Sequence, residues 1–177
     1  MPTANEWSVA YARQAKSDME VRDFLLTSKD FPPCHQLHFL QMACEKLCKA
    51  HLFAQGQDSP QFQKSHAYVA SILPVIFKMK FAETYKRELR NRAGVLSQVK
   101  QLAREIELLA PAVDAAGRRK DNCEYPWEDG AGKIVSPIDR QFPNLDLLHK
   151  PHGIQILKFV KAAIDDLCKP IPPAPSP

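Results

Sequence analysis

Apolar side chains recur three and four positions apart along most of this sequence, the period of a helix buried on one face. The clearest stretch is residues 38–52, where Leu40, Gln41, Cys44, Leu47, Cys48, His51 and Leu52 share a stripe and the charged residues cluster on another side. That pattern predicts an inner helix of a bundle. A first helix is expected over about residues 5–27, carried by Trp7, Ala10, Tyr11, Gln14, Met19, Val21, Phe24 and Leu25 with no Pro or Gly among them. Phe31-Pro32-Pro33 stops it, because proline lacks an amide donor and pushes the preceding residue out of helical geometry. The second helix then covers about residues 34–54, with Leu37 also on its inward stripe, and Gly56 closes it.

A third segment over about residues 65–77 carries Ala67, Val69, Ala70, Ile72, Leu73 and Ile76, and Pro74 is expected to kink or split it. A long fourth segment, about residues 82–109, is charged on one side and apolar at Tyr85, Leu89, Ala93, Leu96, Val99, Leu102, Ala103 and Ile106, with Gly94 as a local weak point. Residues 118–150 hold Pro126, Gly130, Gly132, Pro137 and Pro143 without a sustained period, so they read as an excursion of extended segments and turns. Long loops of this kind are usually functional or mobile. A last amphipathic helix is expected over about residues 153–168. The implied fold class is all-α: an antiparallel up-and-down bundle of four or five helices with a long irregular loop before the last one. Residues 1–168 form a single domain on this reading, and 169–177 are a Pro-rich disordered tail.

Composition changes this picture little. A chain of 177 residues can bury a core without disulfides or metal. The five cysteines, Cys34, Cys44, Cys48, Cys123 and Cys168, are odd in number and unevenly spaced, which argues for reduced thiols rather than a secreted framework. No apolar run approaches the roughly 18–20 residues of a membrane span, and the N-terminus lacks the layout of a signal peptide, so a cytoplasmic protein without a membrane partner is expected. A net charge of +4 permits association with nucleic acid but does not mark a dedicated basic binder. The surplus is local: between residues 78 and 104 stand Lys78, Lys80, Lys86, Arg87, Arg90, Arg92, Lys100 and Arg104 against only Glu83 and Glu88. Lys86, Arg90 and Lys100 could face RNA, although a charged outer face more often keeps a helix soluble.

The run Gln41-Met42-Ala43-Cys44-Glu45-Lys46-Leu47-Cys48-Lys49-Ala50 has the Gln, Ala, Glu-Lys and Lys-Ala spacing of the second helix in the HEPN superfamily. With the preceding helix, the histidine-led segment Ser65-His66-Ala67-Tyr68 and a closing helix after a loop, most of the chain resembles a divergent HEPN-like protein in outline. The resemblance implies a four- or five-helix bundle that dimerises with itself. Active members are metal-independent ribonucleases that place an Arg, about four to six residues, and then a His at the dimer cleft. Arg87, Arg90, Arg92, Arg104, Arg118 and Arg119 have no histidine at that distance, and Arg140 stands too far ahead of His149. The activity is therefore not carried over.

The nearest equivalent of that functional segment is Arg118-Arg119-Lys120-Asp121-Asn122-Cys123-Glu124-Tyr125-Pro126-Trp127, with Tyr125 where a histidine would stand. Guanidinium forks and aromatic faces suit a phosphate-bearing ligand with a base, which makes Arg118, Arg119, Asn122, Glu124, Tyr125 and Trp127 the candidate ligand-binding residues. The alternative use of Tyr125, Pro126 and Trp127 is to plug the loop into the bundle while the cations stay in solvent. The leading expectation is a non-catalytic or atypical binding module for a nucleotide or RNA. A second is a ribonuclease of a toxin-antitoxin or defence system, in which Arg119, Asn122, Glu124 and Tyr125 replace the missing pair. There, Arg119 would stabilise the phosphorane and Glu124 or Tyr125 would move the proton. A third is a structural domain with a protein partner encoded by a neighbouring gene. Cys44, Cys48 and His51 lie at helical spacing, and Cys34 with His38 repeats the interval. No Cys-x-x-Cys or His-Glu-x-x-His pattern accompanies them, so neither metal nor cofactor is expected.

Overall fold

A capping box opens the first helix, α1 (Ala4–Thr27): the Thr3 hydroxyl accepts from the Glu6 amide while the Glu6 carboxylate accepts from the Thr3 amide at 2.7 Å. These atoms belong to a computed structural model that describes residues 2–57, 65, 68–84, 93–111 and 122–169. Proline at its first turn starts α2 (Pro33–Ala54), where a missing amide costs nothing. Gly56, at φ 73°, ends it in a left-handed turn, with the Gln57 amide donating to the Leu52 carbonyl and the Gly56 amide to Phe53.

These two helices form an antiparallel pair with the most extensive interface in the fold. At one end the Ser8 hydroxyl donates to the Ala50 carbonyl at 2.8 Å, and Trp7 and Tyr11 stack on Phe53. At the other, the Gln36 amide reaches the Leu25 carbonyl.

The third helix, α3 (Val69–Thr84), corrects the expectation of a break at Pro74: the helix runs through it and continues past Phe77. An interior proline costs about 3 kcal/mol. Val69, Leu73, Ile76, Phe77 and Phe81 are all buried along this helix, and burial contributes roughly 1.5–3 kcal/mol for each such side chain. Packing therefore outweighs the missing hydrogen bond. Ala82, expected to begin the fourth helix, lies in the last turn of α3. The fourth helix proper, α4 (Ala93–Glu107), buries Val99, Leu102, Ala103 and Ile106. It runs antiparallel to α3, since the Glu107 carboxylate near its end accepts from the Ala70 amide at the start of α3 at 2.8 Å. His66, Lys86, Arg87, Arg90 and Arg92 lie outside the described residues, as do residues 170–177 of the expected tail.

Between α4 and the last helix, the loop contains a two-stranded antiparallel hairpin, β1 (Trp127–Glu128) and β2 (Ile134–Val135), in which Trp127 pairs with Val135. Two 3-10 helices follow, Pro137–Asp139 and Pro143–His149. The pattern of prolines and glycines had suggested only extended segments and turns there. The last helix, α5 (Pro151–Leu167), turns Ile156, Val160, Ala163 and Ile164 into the core. Lys16–Asp165 and Lys161–Asp23 ion pairs tie it to α1, and Lys80–Asp166 ties it to α3. The result is the helical bundle that the apolar periodicity predicts. Among the described residues, no helix is long and apolar enough to cross a membrane.

Candidate ligand-binding site

The irregular strap after α4 meets the bundle through Cys123 and Glu124, and Asn122 folds its turn. Cys123 is buried, and both its amide and its thiol donate to the Leu109 carbonyl, at 3.0 and 3.3 Å, where α4 ends. Asn122 is buried beside it, and its Oδ1 accepts from the amides of Glu124 at 2.8 Å and Tyr125 at 2.7 Å. Its Nδ2 donates to the Tyr125 carbonyl at 3.3 Å. Asparagine folds a turn this way because its short amide substitutes for backbone partners. Glu124 approaches the other helix: its carboxylate lies 3.5 Å from Nδ1 of His38 near the start of α2, without forming a hydrogen bond.

This turn separates the roles of the candidate residues. Asn122 shapes the strap rather than facing outward, and Glu124 is turned toward α2. Tyr125 is 59% exposed, so the residue expected to plug the loop into the core stands in solvent, while Asn122 and Cys123 do the plugging. Trp127 is half-buried at the base of the hairpin. The hairpin tip is closed by Asp129, whose Oδ1 accepts from the amides of Ala131 and Lys133 at 2.9 Å each. Arg118, Arg119 and Lys120, the cations of the candidate site, lie outside the described residues. The structure thus brings Asn122, Glu124, Tyr125 and Trp127 onto one strap.

Two features of the surroundings were missed. His38 is distant from the strap in sequence, and only the packing of the strap across α2 brings its imidazole to Glu124. The charged side of α2 is partly enclosed. Glu45 and Lys49 are each 4% exposed and form an ion pair of 2.7 Å, and Gln41 donates to the same carboxylate at 2.9 Å. Tyr11 of α1 covers the Lys49 ammonium with its ring, 5.8 Å from the centroid. One turn further, Lys46 pairs with Asp18 of α1 at 2.5 Å. Spacing of four along α2 could have indicated that Gln41, Glu45 and Lys49 share a face; it could not indicate that α1 covers it.

Cys44 and Cys48 belong to the core. Burial pushes the Cys44 thiol up to about 12 and raises that of Cys48 as well, so both are unreactive neutral thiols. Burial also lowers the His51 imidazole, favouring its neutral form. Among the described residues, no group of three or more His, Cys, Asp or Glu side chains is placed to hold a metal ion. Comparison with family models, with curated proteins and with solved structures finds no match.

Proposed function

We propose that this protein is a HEPN-like binding module, acting as a homodimer, that takes a nucleotide or a short single-stranded RNA on the strap of residues 118–127. The observation that carries the reading is the exposed Tyr125 ring on a turn held by the buried Asn122 amide. A backbone already held in its turn loses little further freedom when the exposed ring it carries stacks against a base. The adjoining Arg118-Arg119-Lys120 supplies the charge that a phosphate requires. Exposed Phe24 and Phe31, at the corner where α1 meets α2, supply apolar surface for a second copy.

Titration of mononucleotides and short single-stranded RNAs tests this, with Arg119→Ala, Tyr125→Ala and Trp127→Ala beside the parent. Each lost base stack is expected to cost about 1–3 kcal/mol, roughly a five- to hundredfold loss of affinity. Equal affinities for parent and variants reject the site.

The contact between His38 and Glu124 favours a second reading, a metal-independent ribonuclease. An imidazole hydrogen-bonded to a carboxylate can relay a proton; here the two stand 3.5 Å apart at the base of the same strap, and this reading requires them to close to hydrogen-bonding distance when RNA binds. In that case Arg119 stabilises the phosphorane and His38 takes the role sought in Tyr125. RNA incubated with the same proteins in EDTA separates the two readings: cleavage lost in both His38→Ala and Arg119→Ala marks the enzyme, and intact RNA with retained binding marks the module.

A further inference from the structure

Residues of α3 and α4 line an open groove of about 700 Å³. Its floor is aliphatic: Pro74, Val75, Met79 and Leu96 line it, and Val75 and Met79 are 45% and 43% exposed. Its rim carries three exposed cations, Lys78 from α3 and Lys100 and Arg104 from α4. None of the three is paired with a described residue, and no described lining residue is acidic. Of the two carboxylates that follow Arg104 on α4, Glu105 accepts from the Asn144 side chain and Glu107 from the Ala70 amide.

An apolar trough of this length flanked by unneutralised positive charge has a definite complement. From Ala70 to Ala82 the α3 wall is about 18 Å long at a rise of about 1.5 Å per residue, the length of roughly three helical turns. Methionine on such a floor adapts to the side chains laid against it. A nucleic acid would find cations here but, among the described lining residues, no aromatic ring to stack a base. We propose that this groove docks an amphipathic helix of a partner protein, one with aliphatic residues at helical spacing and Asp or Glu on both flanks. The groove shares no lining residue with the described strap residues 122–127, so this docking is tested independently of ligand binding there.

The probe is a fluorescent peptide of about 12 residues, with Leu at helical spacing and Glu on the flanks, titrated by anisotropy into the full chain. A second peptide carries Lys in place of every Glu, and a short single-stranded RNA serves as competitor. The expected result is saturable binding of the acidic peptide alone, weakened about tenfold or more in Lys100→Glu/Arg104→Glu and in Met79→Asp. Both rim positions are exposed, so the double variant should keep the parent's circular dichroism and melting profile. Three outcomes overturn the proposal: no saturable binding, equal binding of the two peptides, or equal affinity in the charge-reversed variant. Competition by RNA that disappears with Lys100→Glu/Arg104→Glu also overturns it and makes the groove a nucleic-acid surface.

Discussion

A carboxylate and an ammonium that are each 4% exposed must satisfy one another, because neither retains enough water to be stable alone. Glu45 and Lys49 do this across one turn of α2, with Gln41 donating to the second carboxylate oxygen and Tyr11 shielding the ammonium. Glu45→Ala should therefore cost about 3–5 kcal/mol, since it strands Lys49 in an enclosed site. Glu45→Leu combined with Lys49→Met should cost much less, because no charge is left without a partner. Urea unfolding of the two variants measures the difference; equal losses would mean that the pair acts as two independent contacts. The periodicity of α2 placed Leu40, Cys44, Leu47 and Cys48 in the core, and all four are buried there. The burial of Glu45 and Lys49 was not legible in the same way, because polarity alone does not reveal an ion pair closed beneath a neighbouring helix.

Elements dock where small residues allow close approach. Gly153 in the first turn of α5 is such a place: a Cβ added there would lie 1.9 Å from the Leu147 carbonyl oxygen and 2.7 Å from the Leu148 Cα. The atoms it would strike are backbone, so the 3-10 helix Pro143–His149 would have to move. Leu145 and Leu148 of that helix are buried against the bundle. Gly153→Ala should destabilise the fold by about 1–3 kcal/mol or more, as overpacking does. Gly94→Ala, with nothing within 4 Å of the added carbon, should be neutral or stabilising. Thermal melts of both variants test the contrast, and similar melting temperatures would remove the close approach from the account.

At this scale the helices were legible from the spacing of apolar residues, to within a few positions for α1, α2 and α5. Pro74 does not split the helix: proline is a local signal. The five buried apolar side chains that hold α3 together around it are tertiary contacts, invisible in the spacing. The two 3-10 helices were not legible either, since short elements without a period resemble any proline-bearing loop.

For the molecule as a whole, the bundle acts as a frame on which the strap is mounted. The C-terminal end of α4 receives Cys123, the start of α2 receives Glu124, and the Asn122 turn between them leaves Tyr125 outward. The resemblance, together with Arg, Tyr and Trp in one proline-bearing loop, points to the strap as the candidate site. It did not separate the residues that shape the turn from those that face outward. Asn122 illustrates this: its buried amide is occupied by backbone partners, a role that depends on burial and hydrogen bonding rather than on identity.

The most direct test is hydrogen exchange at the Glu124 and Tyr125 amides, measured in the parent and in Asn122→Ala, with and without a short single-stranded RNA. The expected result is protection of both amides in the free parent, loss of that protection in Asn122→Ala while α1 and α2 stay protected, and further slowing across the strap when RNA is added to the parent. Free exchange of these amides in the parent, or RNA-dependent slowing confined to other segments, would contradict the account.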